Sequence, residues 1–230
     1  MRTNKIVILS LLLVCLLSTT SCLSIITKVF FNKDGGGTYT FNMDFSQMGK
    51  MLGPEFGEKL KEDMEKDQDM NTRFDQMAKG LSEIDGISDF ETGLNPDEVK
   101  MFLTFKFENT EALNQALAYA FKKEEDPISN EPFFKWDGKS LERTSRALFA
   151  GGSITDMMGE DEAETEQMEE MMAMFARDSF FEVLIEFENK IKKFDNDDYE
   201  KVDDHTLRWK QFATDEADKD MKQEVTVRLK

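Results

Sequence analysis

Cysteine, histidine and basic charge are all scarce in this chain, and each shortage closes off a class of function. Of the two cysteines, Cys15 lies inside an N-terminal apolar run and Cys22 follows that run. Removal of the run leaves one thiol, so no internal disulfide can form even in an exported compartment. His205 is the one histidine. Metal centres built on imidazole or thiolate therefore have almost no ligands to draw on, and neither a metal nor another cofactor is expected. Only 29 Lys and Arg stand against 47 Asp and Glu, a net charge of −18. Such a surface repels nucleic acid phosphates and anionic head groups, so nucleic acid is not an expected partner, and lipid contact must run through apolar surface or a tether. No second apolar run approaches the roughly 20 residues that span a bilayer.

The N-terminus supplies such a tether. Arg2 and Lys5 form a positive start, and Ile6 to Leu17 form an apolar core broken only by Ser10, the layout of a secretory signal. The core is too short to cross a membrane. Ser21 before Cys22 resembles the bacterial lipobox, in which the cysteine is diacylated, released as the new first residue and often acylated again. Thr19 departs from the aliphatic residue usual at that place and leaves ordinary signal-peptidase cleavage as the alternative. Under the lipobox reading residues 1–21 are removed and Cys22 carries the lipid, with two or three acyl chains giving a stable anchor. Leu23 after the cysteine points to the outer membrane where two membranes exist.

Residues 22–230 are long enough for one large domain with a sizeable core, and the 20 Phe argue against wholesale disorder. Period-two alternation is the main structural signal. Tyr39, Phe41, Met43 and Phe45 alternate with polar residues, as do Val99 to Phe107 and Phe181 to Phe187; each predicts a strand with one dry face. Asp34-Gly35-Gly36-Gly37 predicts a hairpin between Ser24 to Phe31 and the Tyr39 strand. Helices are predicted at about 54–66, 71–81 and 109–122, the last capped by Asn109. Asp137-Gly138 predicts a second hairpin. Beyond Ser179 come five predicted strands separated by Asp-rich turns. The fold class is α+β: a twisted antiparallel β-sheet with helices packed on one face, in a single domain. Residues 153–177 read as an acidic, Met-rich insertion within it, with a helix from about Glu164 to Arg177.

Three stretches together carry a resemblance: the opening hairpin behind Cys22, the strand Phe181 to Phe187, and the run from Ile191 to Lys210 with its Asn-containing turn and Thr206-Leu-Arg-Trp209 strand. In these the chain resembles the LppM-like family of bacterial lipoproteins. The resemblance covers about a third of residues 22–230 and implies an α+β lipoprotein domain, with lipid binding as its suspected role and no established catalysis. The acidic Met-rich segment and the absence of the C-terminal membrane helix found in some members are departures. No binding residues carry over by motif.

Candidate chemistry is sparse. His205 follows Asp203-Asp204, but no Gly-x-Ser-x-Gly turn supplies a nucleophile, and an exposed turn histidine is the preferred reading. Asp195-Asn196-Asp197-Asp198 offers oxygen ligands but lacks the glycine and distal glutamate of a calcium loop, so a solvated turn is preferred. Met168, Met171, Met172 and Phe175 fall on one face of a helix. Thioethers there could meet Cu(I), but a core or a lid over an apolar ligand is preferred. The sequence thus predicts a non-enzymatic, lipid-anchored envelope protein that binds a lipid or other apolar ligand. A structural role with a basic envelope partner is the alternative, and an acidic-site hydrolase the third reading.

Overall fold

The computed structural model describes residues 23–46, 58, 62, 68–95, 99–120, 131–144, 179–212 and 221–230. The predicted helix at about 54–66, apart from Glu58 and Glu62, the predicted helix at 164–177, the insertion at 153–177, Cys22, Met168, Met171, Met172 and Phe175 lie outside the described residues.

The opening hairpin forms as its glycines require. Strand β1 (Ser24–Phe31) pairs antiparallel with β2 (Gly37–Asp44), Phe31 opposite Gly37 and Ser24 opposite Asp44. Asn32 Oδ1 accepts from the backbone N–H groups of Asp34 and Gly36 at 2.9 and 3.0 Å, and Gly35 takes a left-handed φ of 84° that L residues with a Cβ resist. Helix α1 (Gln68–Ser82), strands β3 (Ile87–Asn95) and β4 (Lys100–Phe107), and helix α2 (Thr110–Ala120) follow. Asn109 caps α2, its Oδ1 accepting from Ala112 N at 3.0 Å. The Asp-Gly hairpin joins β5 (Phe134–Trp136) to β6 (Ser140–Arg143). Then come β7 (Phe180–Phe187), β8 (Ile191–Phe194), β9 (Glu200–Lys201), β10 (Thr206–Phe212) and β11 (Val225–Leu229).

These strands make two sheets where one was predicted. The larger has seven strands in the order β3-β4-β2-β1-β7-β10-β9, and the smaller has four in the order β5-β6-β11-β8. The large sheet is not wholly antiparallel: β1 and β7 run parallel at its centre, Ser24 beside Phe180 and Phe31 beside Phe187. Alternation reports which face of a strand is dry, not which way its neighbour runs. The α+β class stands, with the two described helices sharing one apolar cluster with both sheets rather than alone covering a face.

Odd-numbered residues of β1 and β2 point inward. Val29, Phe31, Tyr39, Phe105, Ile185 and Leu207 of the large sheet are fully buried against Leu113 and Leu117 of α2 and Leu141 and Val227 of the small sheet. Phe31 is the junction, with Phe134 edge-on at 5.5 Å and Trp136 stacked at 5.9 Å. The other face of the large sheet carries ion pairs, Lys28 with Glu186 at 2.7 Å and Arg208 with Glu182 at 3.8 Å, as expected of a solvated surface.

Candidate functional site

The turn of residues 195–198, between β8 and β9, lies against residues 222–226 and is fastened by its own side chains. Asp195 Oδ1 accepts from Thr226 N at 2.7 Å, Asp198 Oδ2 accepts from Lys222 N at 2.8 Å, and Asn196 Nδ2 donates to Lys222 O and Glu224 O at 2.9 and 2.7 Å. Short polar side chains suit such turns because they bond backbone groups a few residues away. The result is an open cleft of about 740 Å³ lined by six carboxylates, Glu131, Glu142, Asp195, Asp197, Asp198 and Glu224, with Lys222 at its edge.

Arg143, which also lines the cleft, is only 1% exposed. It occupies an inward position of β6, two residues after buried Leu141, and spans the gap between the sheets. Its Nη2 donates to Gln223 Oε1 at 2.7 Å and its Nη1 to the Tyr199 hydroxyl. Tyr199 Oη in turn donates to Gln223 O at 2.7 Å. The guanidinium lies 5.8 Å from the Trp209 ring centre on β10, a cation–π contact. Among the described residues Nε makes no hydrogen bond and Arg143 makes no ion pair. Burial pushes the Tyr199 phenol up against the lowering effect of the adjacent guanidinium, and Glu224 and Asp198 add to the rise. Burial raises Tyr39 in the same core as well.

The cleft is therefore anionic outside and braced by a cation inside. Two of its acids, Asp195 and Asp198, hold backbone and are committed to the fold. Asp197 and Glu224 make no side-chain hydrogen bond among the described residues and are available to a partner. Among the described residues no group of three or more His, Cys, Asp or Glu is placed to hold a metal ion.

His205 is half-buried rather than exposed, because its Nδ1 lies 3.0 Å from Phe187 O at the end of β7. Asp203 does not orient that ring: its Oδ1 accepts from His205 backbone N at 2.7 Å and its Oδ2 from Thr206 Oγ1 at 3.2 Å. Every described carboxylate whose pKa moves is lowered: Asp137, Glu188, Asp203 and Asp204. Asp204 moves furthest, to about 2, because Lys190 and Lys201 bond it from both sides. General-acid chemistry needs the opposite shift. Sequence reading passed over Arg143, Tyr199 and Gln223; its available signal was an arginine at the inward parity of a strand.

No protein-family model matches the chain, and no curated protein matches it by sequence. Among solved structures it is similar to the NMR structure of the folded domain of Mycobacterium tuberculosis LppM. The identity is 8%, the match covers 91% of this chain and 90% of that one, and the TM-score is 0.43. This is a weak resemblance at the level of the fold.

Proposed function

We propose that this chain is an envelope lipoprotein, held at the membrane through acylated Cys22, whose body is a non-enzymatic docking module for a basic partner. The observation that carries the docking role is the cleft, where six carboxylates gather beside Lys222 over a buried arginine, with Glu142 among them paired to Lys135 at 2.6 Å. Among the described residues the large sheet's Phe-rich face is filled by the chain's own side chains. This favours the basic-partner reading over the apolar one. Closely spaced anions raise the local concentration of cations and speed encounter, an effect that salt screens over about 8 Å at physiological strength.

A lysine oligopeptide is the test probe, titrated against the full acylated protein by fluorescence anisotropy. Binding should weaken as salt rises and fall for Asp197→Asn with Glu224→Gln, which leaves the fastening bonds of Asp195 and Asp198 intact. Affinity unchanged in that double variant would overturn the docking role. The apolar-ligand reading rests on the stripe of Met168, Met171, Met172 and Phe175. Native mass spectrometry of protein extracted from its own membrane tests it through retained lipid, and tests the anchor through the mass at Cys22. Leu23 favours the outer membrane as the location.

A further inference from the structure

On the reading that Cys22 is acylated, the anchor has almost no slack. Cys22 stands two residues before Ser24, the first residue of β1, a reach of about 7 Å at full extension. The end of the large sheet at Ser24 must then sit at the bilayer surface. The residues that share this end are set by register: Ser24 pairs with Phe180, and Phe180 with Phe212. Adjacent strands lie about 4.8 Å apart, which puts Phe212 only about 10 Å to the side of Ser24 and at its level. Phe212 is 42% exposed, unusual for so large an apolar side chain. Its ring meets Phe180 edge-on at 6.2 Å, and Lys210 Nζ stands 3.7 Å from the Phe180 ring centre and 5.0 Å from that of Phe212.

Among the described residues the carboxylates of this corner face cations. Asp44 in the same rung faces Lys100 at 3.5 Å, and Glu182, opposite Lys210, faces Arg208 at 3.8 Å. Among the described residues, the corner next to the anchor combines two rings, a lysine and carboxylates that face cations, in a chain of net charge −18. Phe rings on an interfacial surface bury into the boundary between headgroups and acyl chains, and lysine adds attraction to lipid phosphates.

We propose that Phe180, Phe212 and Lys210 form a membrane-contact patch that lies in the headgroup layer and fixes the tilt of the domain on the bilayer. The patch rests on the acyl-anchor reading, and one preparation tests both. Full acylated protein carrying Phe212→Trp is placed in vesicles of phosphatidylethanolamine and phosphatidylglycerol with brominated acyl chains. Val202→Trp is the control, because Val202 is 49% exposed and its N–H bonds Thr206 O at the opposite end of β10. The patch predicts that bromolipid quenches emission from Phe212→Trp about twofold more than from Val202→Trp, matching burial of some 5–10 Å into the interface. Equal quenching in protein whose mass shows the acyl thioether would overturn the patch and leave the anchor standing. A mass without acyl chains would remove the anchor and the patch together.

Discussion

Replacing Arg143 separates what its charge does from what its volume does. Arg143→Ala opens a hole of roughly 80 Å³ between the sheets, worth about 2 kcal/mol at the usual cost of cavity volume. It also leaves Gln223 Oε1 without its donor, which adds about 1 kcal/mol for a half-buried acceptor. Against these stands the relief of no longer desolvating the guanidinium, about 1 kcal/mol because two hydrogen bonds, a cation–π contact and the carboxylates of the cleft already compensate its burial. Tyr199 keeps its bond to Gln223 O, so the phenol is not orphaned. The net expectation is a loss of about 2 kcal/mol for Arg143→Ala. Arg143→Met refills the space without the charge and should lie within about 1 kcal/mol of the parent.

Urea unfolding of the three proteins gives the comparison, with a midpoint shift of roughly 0.7 M for the alanine variant if the slope is about 3 kcal/mol/M. A second readout is independent of stability. The guanidinium lowers the Tyr199 pKa against the effect of burial, so that phenol should titrate higher in the methionine variant, as followed by phenolate absorbance. If Arg143→Met unfolds as early as Arg143→Ala, the charge itself holds the sheets together and the volume argument is wrong. If the Tyr199 phenol does not move, the cation does not govern the polar core beneath the cleft.

Other perturbations test the frame around the site. A Cβ at Gly37 would fall 1.7 Å from Phe30 O, so Gly37→Ala should force β1 and β2 apart and cost about 3 kcal/mol, visible as a lowered midpoint of unfolding. Asn109→Ala removes the α2 cap and should cost about 1 kcal/mol in thermal unfolding, with Asn109→Asp restoring most of it. Asp204 has its pKa lowered from 3.8 to about 2, and Asp137, Asp203 and Glu188 move the same way. Groups lowered by folding add stability above their unfolded pKa and lose it as the pH falls through the folded one. Stability should therefore be level down to about pH 4 and decline from there towards pH 2. In Lys190→Met the Asp204 carboxyl should titrate higher by NMR.

The strands were legible because most of them are dry on one side: the predicted alternations at 39–45, 99–107 and 181–187 correspond to β2, β4 and β7. Turn chemistry was legible for the same local reason, since Asn109 and Asp137 act on backbone groups within three residues of themselves and Gly35 supplies the positive φ of its turn. What was not legible is long-range. The β1–β7 pair joins residues more than 150 positions apart, and the small sheet draws β8 and β11 to β6 across most of the C-terminal half. The site shows the same limit. The acidic turn at 195–198 was visible as a turn, but its cleft exists only because residues 222–226 fold against it and Arg143 arrives from a strand 52 positions earlier. Val99 was read as an ordinary strand residue, yet it takes a left-handed φ of 52° just before β4, a strain for a β-branched side chain that no local pattern signals.

The central place of β1 bears on how an anchored protein of this kind would fold. β1 is bonded on both sides, by β2 and β7, and its inward residues Ile25, Val29 and Phe31 are among the most buried in the chain. On the acyl-anchor reading, this strand is the segment next to the membrane, so the end of the chain that is tethered first is also the end on which the sheet must be assembled. The hairpin with β2 is local and can close at once, whereas the parallel side must wait for residues near 180, a long loop whose closure costs entropy. Until then the dry edge of β1 lies open at the membrane surface, an exposed strand edge of the kind that pairs wrongly. Slowing β7 docking, for instance with Val183→Gly, which removes an inward side chain opposite Thr27, should raise the yield of misassembled oligomers in vesicle-bound refolding more than an equally destabilising change in α2. Equal yields from the two variants would show that pairing on the β7 side is not the late step.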